Sequence, residues 1–138
     1  MDYQTAVTTQ FIPRATAALQ NIASGLIAAG LGANRVSVTM PDTTDLRFQL
    51  TATRAGKTIT AYIELTDASH AIGDPGRGQA IFTLFVDSNG VELTTSYSPG
   101  NAQPYTTETG VDALLAKLAE VELKMPEALV KIRASLGL

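Results

Sequence analysis

The chain has no cysteine and a single histidine among its 138 residues. Without cysteine there is no disulfide framework and no thiolate metal site. That absence fits a reducing compartment, and a cytoplasmic location is expected. The start, Met1-Asp2-Tyr3, has none of the basic residues that open a secretory signal. Long apolar runs are also missing. The mildly apolar stretch 15–33 is broken by Gln20, Asn21, Ser24 and several glycines, whereas a membrane span needs about 20 predominantly apolar residues. No excess of one charge gathers anywhere. The net charge is −3, and the segments 1–45, 46–106 and 107–138 each net −1. The basic patch by which a nucleic-acid binder neutralises phosphates is therefore absent. Neither a nucleic acid nor a membrane is an expected partner.

What is present suits one domain spanning 1–138, long enough to hide roughly two-thirds of its unfolded surface. In the N-terminal part Ala15, Leu19, Ile22, Leu26 and Ala29 recur at spacings of four and three, the period of a helix with one buried stripe. Pro13 suits a first turn, so the main helix is expected to begin there, with 3–11 as an earlier turn or a kinked extension. Gly30 and Gly32 offer a left-handed stop.

Period-two alternation follows. Val36, Val38 and Met40 alternate with polar residues; so do Leu46, Phe48, Leu50 and Ala52, and then Ile59, Ala61, Ile63 and Leu65. A two-residue turn at Ala55-Gly56 fixes the register of the second and third runs. Arg54 then faces Lys57, Ala52 faces Ile59 and Phe48 faces Ile63. On the other side Arg47 meets Glu64, Gln49 meets Tyr62 and Thr51 meets Thr60. That one register puts all apolar positions on one face and gives favourable polar pairs on the other. A fourth strand is expected over 80–86 and a fifth over 91–97, joined by the turn Asp87-Ser88-Asn89-Gly90. The last helix carries Val111, Leu114, Leu115, Leu118 and Val121, and then Met125, Leu129, Ile132 and Leu136 in the same phase. Pro126 predicts a kink, or two short helices on one line. The expected fold is thus α+β: an N-terminal helix, about five mainly antiparallel strands in hairpins, and a kinked C-terminal helix, with both helices packed on one face of the sheet.

Residue types that carry chemistry are sparse. Asp67, His70 and Asp74 lie close together in a glycine-rich loop, where Arg77 could help backbone amides hold an anion. They match no zinc spacing, no Gly-Lys-Ser/Thr ending follows, and a strand rather than a helix comes next. Glu64 and Glu92 are accounted for as surface carboxylates rather than a catalytic pair. No serine sits in a nucleophile-elbow motif. No catalytic residue, metal or cofactor is expected, and an enzyme has no support in the sequence.

Two surfaces stand out instead. The stretch 15–34 holds no charged residue, although a solvated helix face normally carries charges. Its second face offers small and uncharged residues, with Ala18, Asn21, Gly25 and Ala28 as candidate interface positions. The second surface is on the sheet, where Ile81, Thr83 and Phe85 share the otherwise polar face and Tyr62 joins them if the hairpins align. The order helix, sheet, helix resembles the small acidic dimeric chaperones of type III secretion. That likeness lies in architecture, and where those proteins insert a helix after the third strand this chain has the loop 67–78. The expected role is a non-enzymatic protein-binding module acting as a homodimer, of the chaperone, inhibitor, immunity or mobile-element regulator kind. The alternative is a small-molecule-binding domain or small enzyme with a pocket between sheet and helices.

Overall fold

The computed structural model describes residues 3–39, 46–65, 82–87 and 108–138. Helix begins at once, as α1 (Tyr3–Ala6), a π-helical segment (Val7–Phe11) and α2 (Ile12–Ala28). The α-helix proper thus starts within one residue of Pro13, as expected, and 3–11 form the helical extension expected before it. A π turn joins the two. A proline inside an α-helix lacks its N–H and drives its ring into the carbonyl four residues back. Here the Ile12 N–H donates to the Val7 carbonyl, five residues back, and the widened turn receives Pro13. Val7 and Phe11 are buried by this extension.

Gly30 ends α2 at φ +112°. Its N–H donates to the Ile27 carbonyl at 3.0 Å and that of Leu31 to the Leu26 carbonyl at 3.0 Å. These are the two bonds of a Schellman stop, sealed by the buried Leu31 side chain. The chain then enters an antiparallel sheet: β1 (Val36–Thr39), β2 (Leu46–Arg54), β3 (Lys57–Leu65) and β4 (Phe82–Asp87), in chain order across the sheet. The β2–β3 register is the expected one at every pair, from Arg54 opposite Lys57 to Arg47 opposite Glu64. Ala55 at φ 51° and Gly56 at φ 81° make the turn, the left-handed pair that a two-residue hairpin of this twist requires. The expectation of about five strands is not supported: four strands form the sheet among the described residues, and 91–97 lie outside them.

A single helix, α3 (Glu108–Leu136), closes the fold. The helix runs through Pro126 as one element rather than as two short helices. The buried residues Val111, Leu114, Leu118, Val121, Met125, Ala128, Ile132 and Leu136 hold one phase along it, and that packing outweighs one missing hydrogen bond. Its far end is held by the β2–β3 turn. Arg54 donates from Nη1 to the carbonyls of Leu136 at 2.6 Å and Gly137 at 3.2 Å, and Lys57 Nζ donates to that of Ser135 at 3.4 Å. Cations placed on the last carbonyls of a helix offset its negative end.

The core joins the buried stripes of α2 and α3 to one face of the sheet, where Phe48, Leu50, Ala52, Ile59, Ala61 and Ile63 are fully buried. Phe11 from the π segment meets Phe48 edge to face, with ring centroids 5.8 Å apart. Val36 and Val38 pack against this core from the edge strand β1. Among the described residues no helix is long and apolar enough to cross a membrane.

Candidate functional site

The outer side of the helix layer, away from the sheet, holds the features that the core does not explain. Between α2 and α3 lies a cleft of about 650 Å3, lined by Pro13, Arg14, Ala17, Ala18, Asn21, Ile22, Glu122, Met125, Pro126 and Leu129. Its two ends are built differently. At one end Gly25 lets the helices touch: a Cβ added there would stand 2.7 Å from a Leu129 methyl. At the other end the long Arg14 and Glu122 side chains span the gap. Arg14 Nε donates to Glu122 Oε2 at 3.1 Å, and its Nη2 donates to Oε1. Both side chains stay about one-third exposed, so the pair is worth at most about 1 kcal/mol. Accepting these bonds, Glu122 raises the Arg14 pKa above its ordinary value against a smaller opposing effect of burial.

The cleft is apolar along its walls and polar at its edges. Small side chains, Ala17 and Ala18, make the α2 wall; Met125 and Leu129 make the α3 wall. The Asn21 amide is exposed and has no hydrogen-bond partner among the described residues. Pro126 has no N–H, so the main-chain carbonyl of Glu122 lacks its regular helical donor. Arg14 and Glu122 neutralise each other, so this site has no net charge.

Beside the cleft, α3 carries a second stripe. Ala116, Ala119, Leu123, Pro126 and Val130 follow at spacings of three, four, three and four, and all are exposed. Leu123 is 80% and Val130 64% exposed. On α2 the exposed residues Ala17, Asn21, Ser24 and Ala28 repeat the same spacing. The outer face of both helices is therefore uncharged at every position of a helical stripe.

The residues singled out from the sequence fall into three groups. Ala18 and Asn21 line the cleft, Gly25 closes its end, and Ala28 is exposed on the same side of α2. Gly25 makes its close approach within the chain, to α3. On the sheet, Tyr62 is half-buried under the Arg47 guanidinium, whose carbon lies 3.9 Å from the ring centroid. The β3–β4 register sets Phe85 opposite Tyr62 and Thr83 opposite Glu64. Ile81 and the loop candidates Asp67, His70, Asp74 and Arg77 lie outside the described residues. Sequence reasoning missed Arg14, Glu122, Leu123, Pro126 and Val130 as site residues. The 116–130 stripe was there to be found, since it repeats at helical spacing within a helix whose other stripe was already recognised.

Comparison with protein-family models, with curated proteins and with solved structures finds no significant match for the chain.

Proposed function

We propose that the chain is a non-enzymatic protein-binding module that works as a homodimer. The observation that carries this reading is the exposed stripe Ala116, Ala119, Leu123, Pro126 and Val130. Scattered exposed apolar residues are ordinary, but a continuous helical stripe is the pattern of a helix that packs on another. The stripe is also self-complementary. About a two-fold axis at Leu123, an antiparallel copy sets Ala116 against Val130 and brings Ala119 within about one residue's rise of Pro126, small against large. Isologous contacts of this kind are the commonest way that chains pair. The stripe runs about 21 Å along the helix. The sheet face around Tyr62, Thr83 and Phe85 is the candidate surface for the further protein that the dimer would hold. The client would be the target of a chaperone-, inhibitor- or regulator-like module.

The absence of native cysteine makes a direct test practical. Single variants Leu123→Cys, Val130→Cys and, as an off-stripe control, Gln20→Cys are oxidised and resolved by mass. Leu123→Cys is expected to cross-link efficiently, because it sits at the two-fold axis, while the control does not cross-link. Light scattering of the untreated protein should give twice the chain mass. A monomer at all concentrations, with equal cross-linking in all three variants, would overturn the dimer.

A further inference from the structure

We infer that the cleft between α2 and α3 is a binding site for a neutral, largely apolar small molecule that carries one hydrogen-bonding group such as a hydroxyl, amide or secondary amine. This goes beyond the protein-binding reading and does not depend on it. Size comes first: about 650 Å3 falls inside the range of roughly 300–1,000 Å3 typical of small-molecule sites. The hollow is also fixed by covalent structure and packing. Gly25 against Leu129 closes one end, the Arg14–Glu122 bridge props the other, and Ala17 and Ala18 leave the wall recessed. A gap between two helices would ordinarily be filled by larger side chains, since interiors pack densely.

The lining then selects the ligand. Ala17, Ala18, Ile22, Met125 and Leu129 favour an apolar body. Two polar groups have capacity to spare: the Asn21 amide, which both donates and accepts, and the Glu122 main-chain carbonyl opposite Pro126, which accepts. A ligand that brings one donor or acceptor satisfies them; a pure hydrocarbon leaves them unmatched. Charge is selected against. An anion must compete with Glu122 for Arg14, and a cation must compete with Arg14 for Glu122, so either one breaks a bidentate pair that is already formed.

The test uses the full chain and a defined probe, N-phenyl-1-naphthylamine, which is neutral, apolar and carries one N–H. Its fluorescence is expected to rise saturably with one site per chain. Ala17→Trp places an indole in the cleft from an exposed helical position and should weaken binding at least tenfold. Ser24→Trp, on the same helix but outside the lining, should leave it unchanged. The sulfonated analogue 1-anilinonaphthalene-8-sulfonate should bind more weakly than the neutral dye, by up to about fivefold. Methyl resonances of Ile22, Met125 and Leu129 should shift on titration, which locates the probe independently of any variant. Non-saturating fluorescence, equal binding by Ala17→Trp, or shifts confined to other methyls would each overturn the site. Equal affinity for the sulfonated dye would overturn the assignment of a neutral ligand.

Discussion

Two stripes run along α3 at the same helical spacing and meet opposite fates. Val111, Leu114, Leu118, Val121, Met125, Ala128, Ile132 and Leu136 are buried against α2 and the sheet. Ala116, Ala119, Leu123, Pro126 and Val130 face outward. Periodicity therefore marks a helix face that can be buried, but it does not say against what. Side-chain volume separates the two. The inner stripe is built mainly of large branched side chains and methionine, which fill a core. The outer one has two alanines among three larger residues, so small positions are left where another helix can approach closely. The sharpest contrast lies between two leucines five residues apart. Leu118→Ala removes a fully buried side chain and should cost about 2–5 kcal/mol in denaturant unfolding. A loss below about 1 kcal/mol would show that the inner stripe is loosely packed and would erase the distinction.

The next effect probes how the two helices are spaced. Gly25→Leu forces bulk into a point of close approach between α2 and α3, and overpacking of this kind costs about 1–3 kcal/mol. Gly25→Ala is a finer probe. Its Cβ meets only the methyl ends of the half-buried Leu129 side chain, which can turn aside, while alanine favours helix over glycine by about 1 kcal/mol. Near-neutral stability is expected, and in a Leu129→Ala background the same substitution should stabilise. Equal effects in both backgrounds, read from a thermal double-mutant cycle, would mean that the contact does not set the helix spacing.

A smaller gain is expected at the hairpin. Ala55 occupies φ 51°, a left-handed conformation that alanine adopts reluctantly and asparagine more readily. Ala55→Asn should raise stability by about 0.5–1 kcal/mol, because Asn-Gly is the preferred pair for this turn. An unchanged or lowered melting temperature would argue against the turn type.

That hairpin was the most legible part of the molecule. In β2 and β3 both faces constrain one register: apolar residues must point inward, and polar partners must match outward. The pairing therefore follows from local alternation and a two-residue turn. The Gly30 stop and the inner phase of α3 were legible for the same reason, since each depends on residues within a few turns. The π segment was not. Pro13 marked the start of the α-helix proper with an extension before it, but the sequence shows only a lost donor and not the i→i−5 bond that joins the two. The continuous helix across Pro126 was hidden likewise, because tertiary packing decides whether a proline breaks a helix. The cleft was half visible. Ala18, Asn21 and Gly25 were recognised as a small, uncharged face. That face implied close approach along its whole length, yet the helices touch at Gly25 and part at Ala17. At that end Arg14 meets Glu122 across 108 positions, and no local pattern reports such a contact.

The smallest effect on the folded chain is the most telling about the outer stripe. Leu123 is 80% exposed, so Leu123→Ser removes almost no buried area within one chain. Measured dilute enough to keep the chain monomeric, its unfolding free energy should change by no more than about 0.5 kcal/mol. At high concentration the same variant should lose the concentration-dependent rise in melting temperature that a dimer of the parent shows, because association stabilises only the folded form. Those two readings separate a residue kept for the fold from one kept for a partner. A dilute loss as large as that of Leu118→Ala would put Leu123 inside the monomer core and remove the outer stripe as an interface. A small loss with no concentration dependence in either protein would leave Leu123 an ordinary exposed leucine and the dimer without its contact.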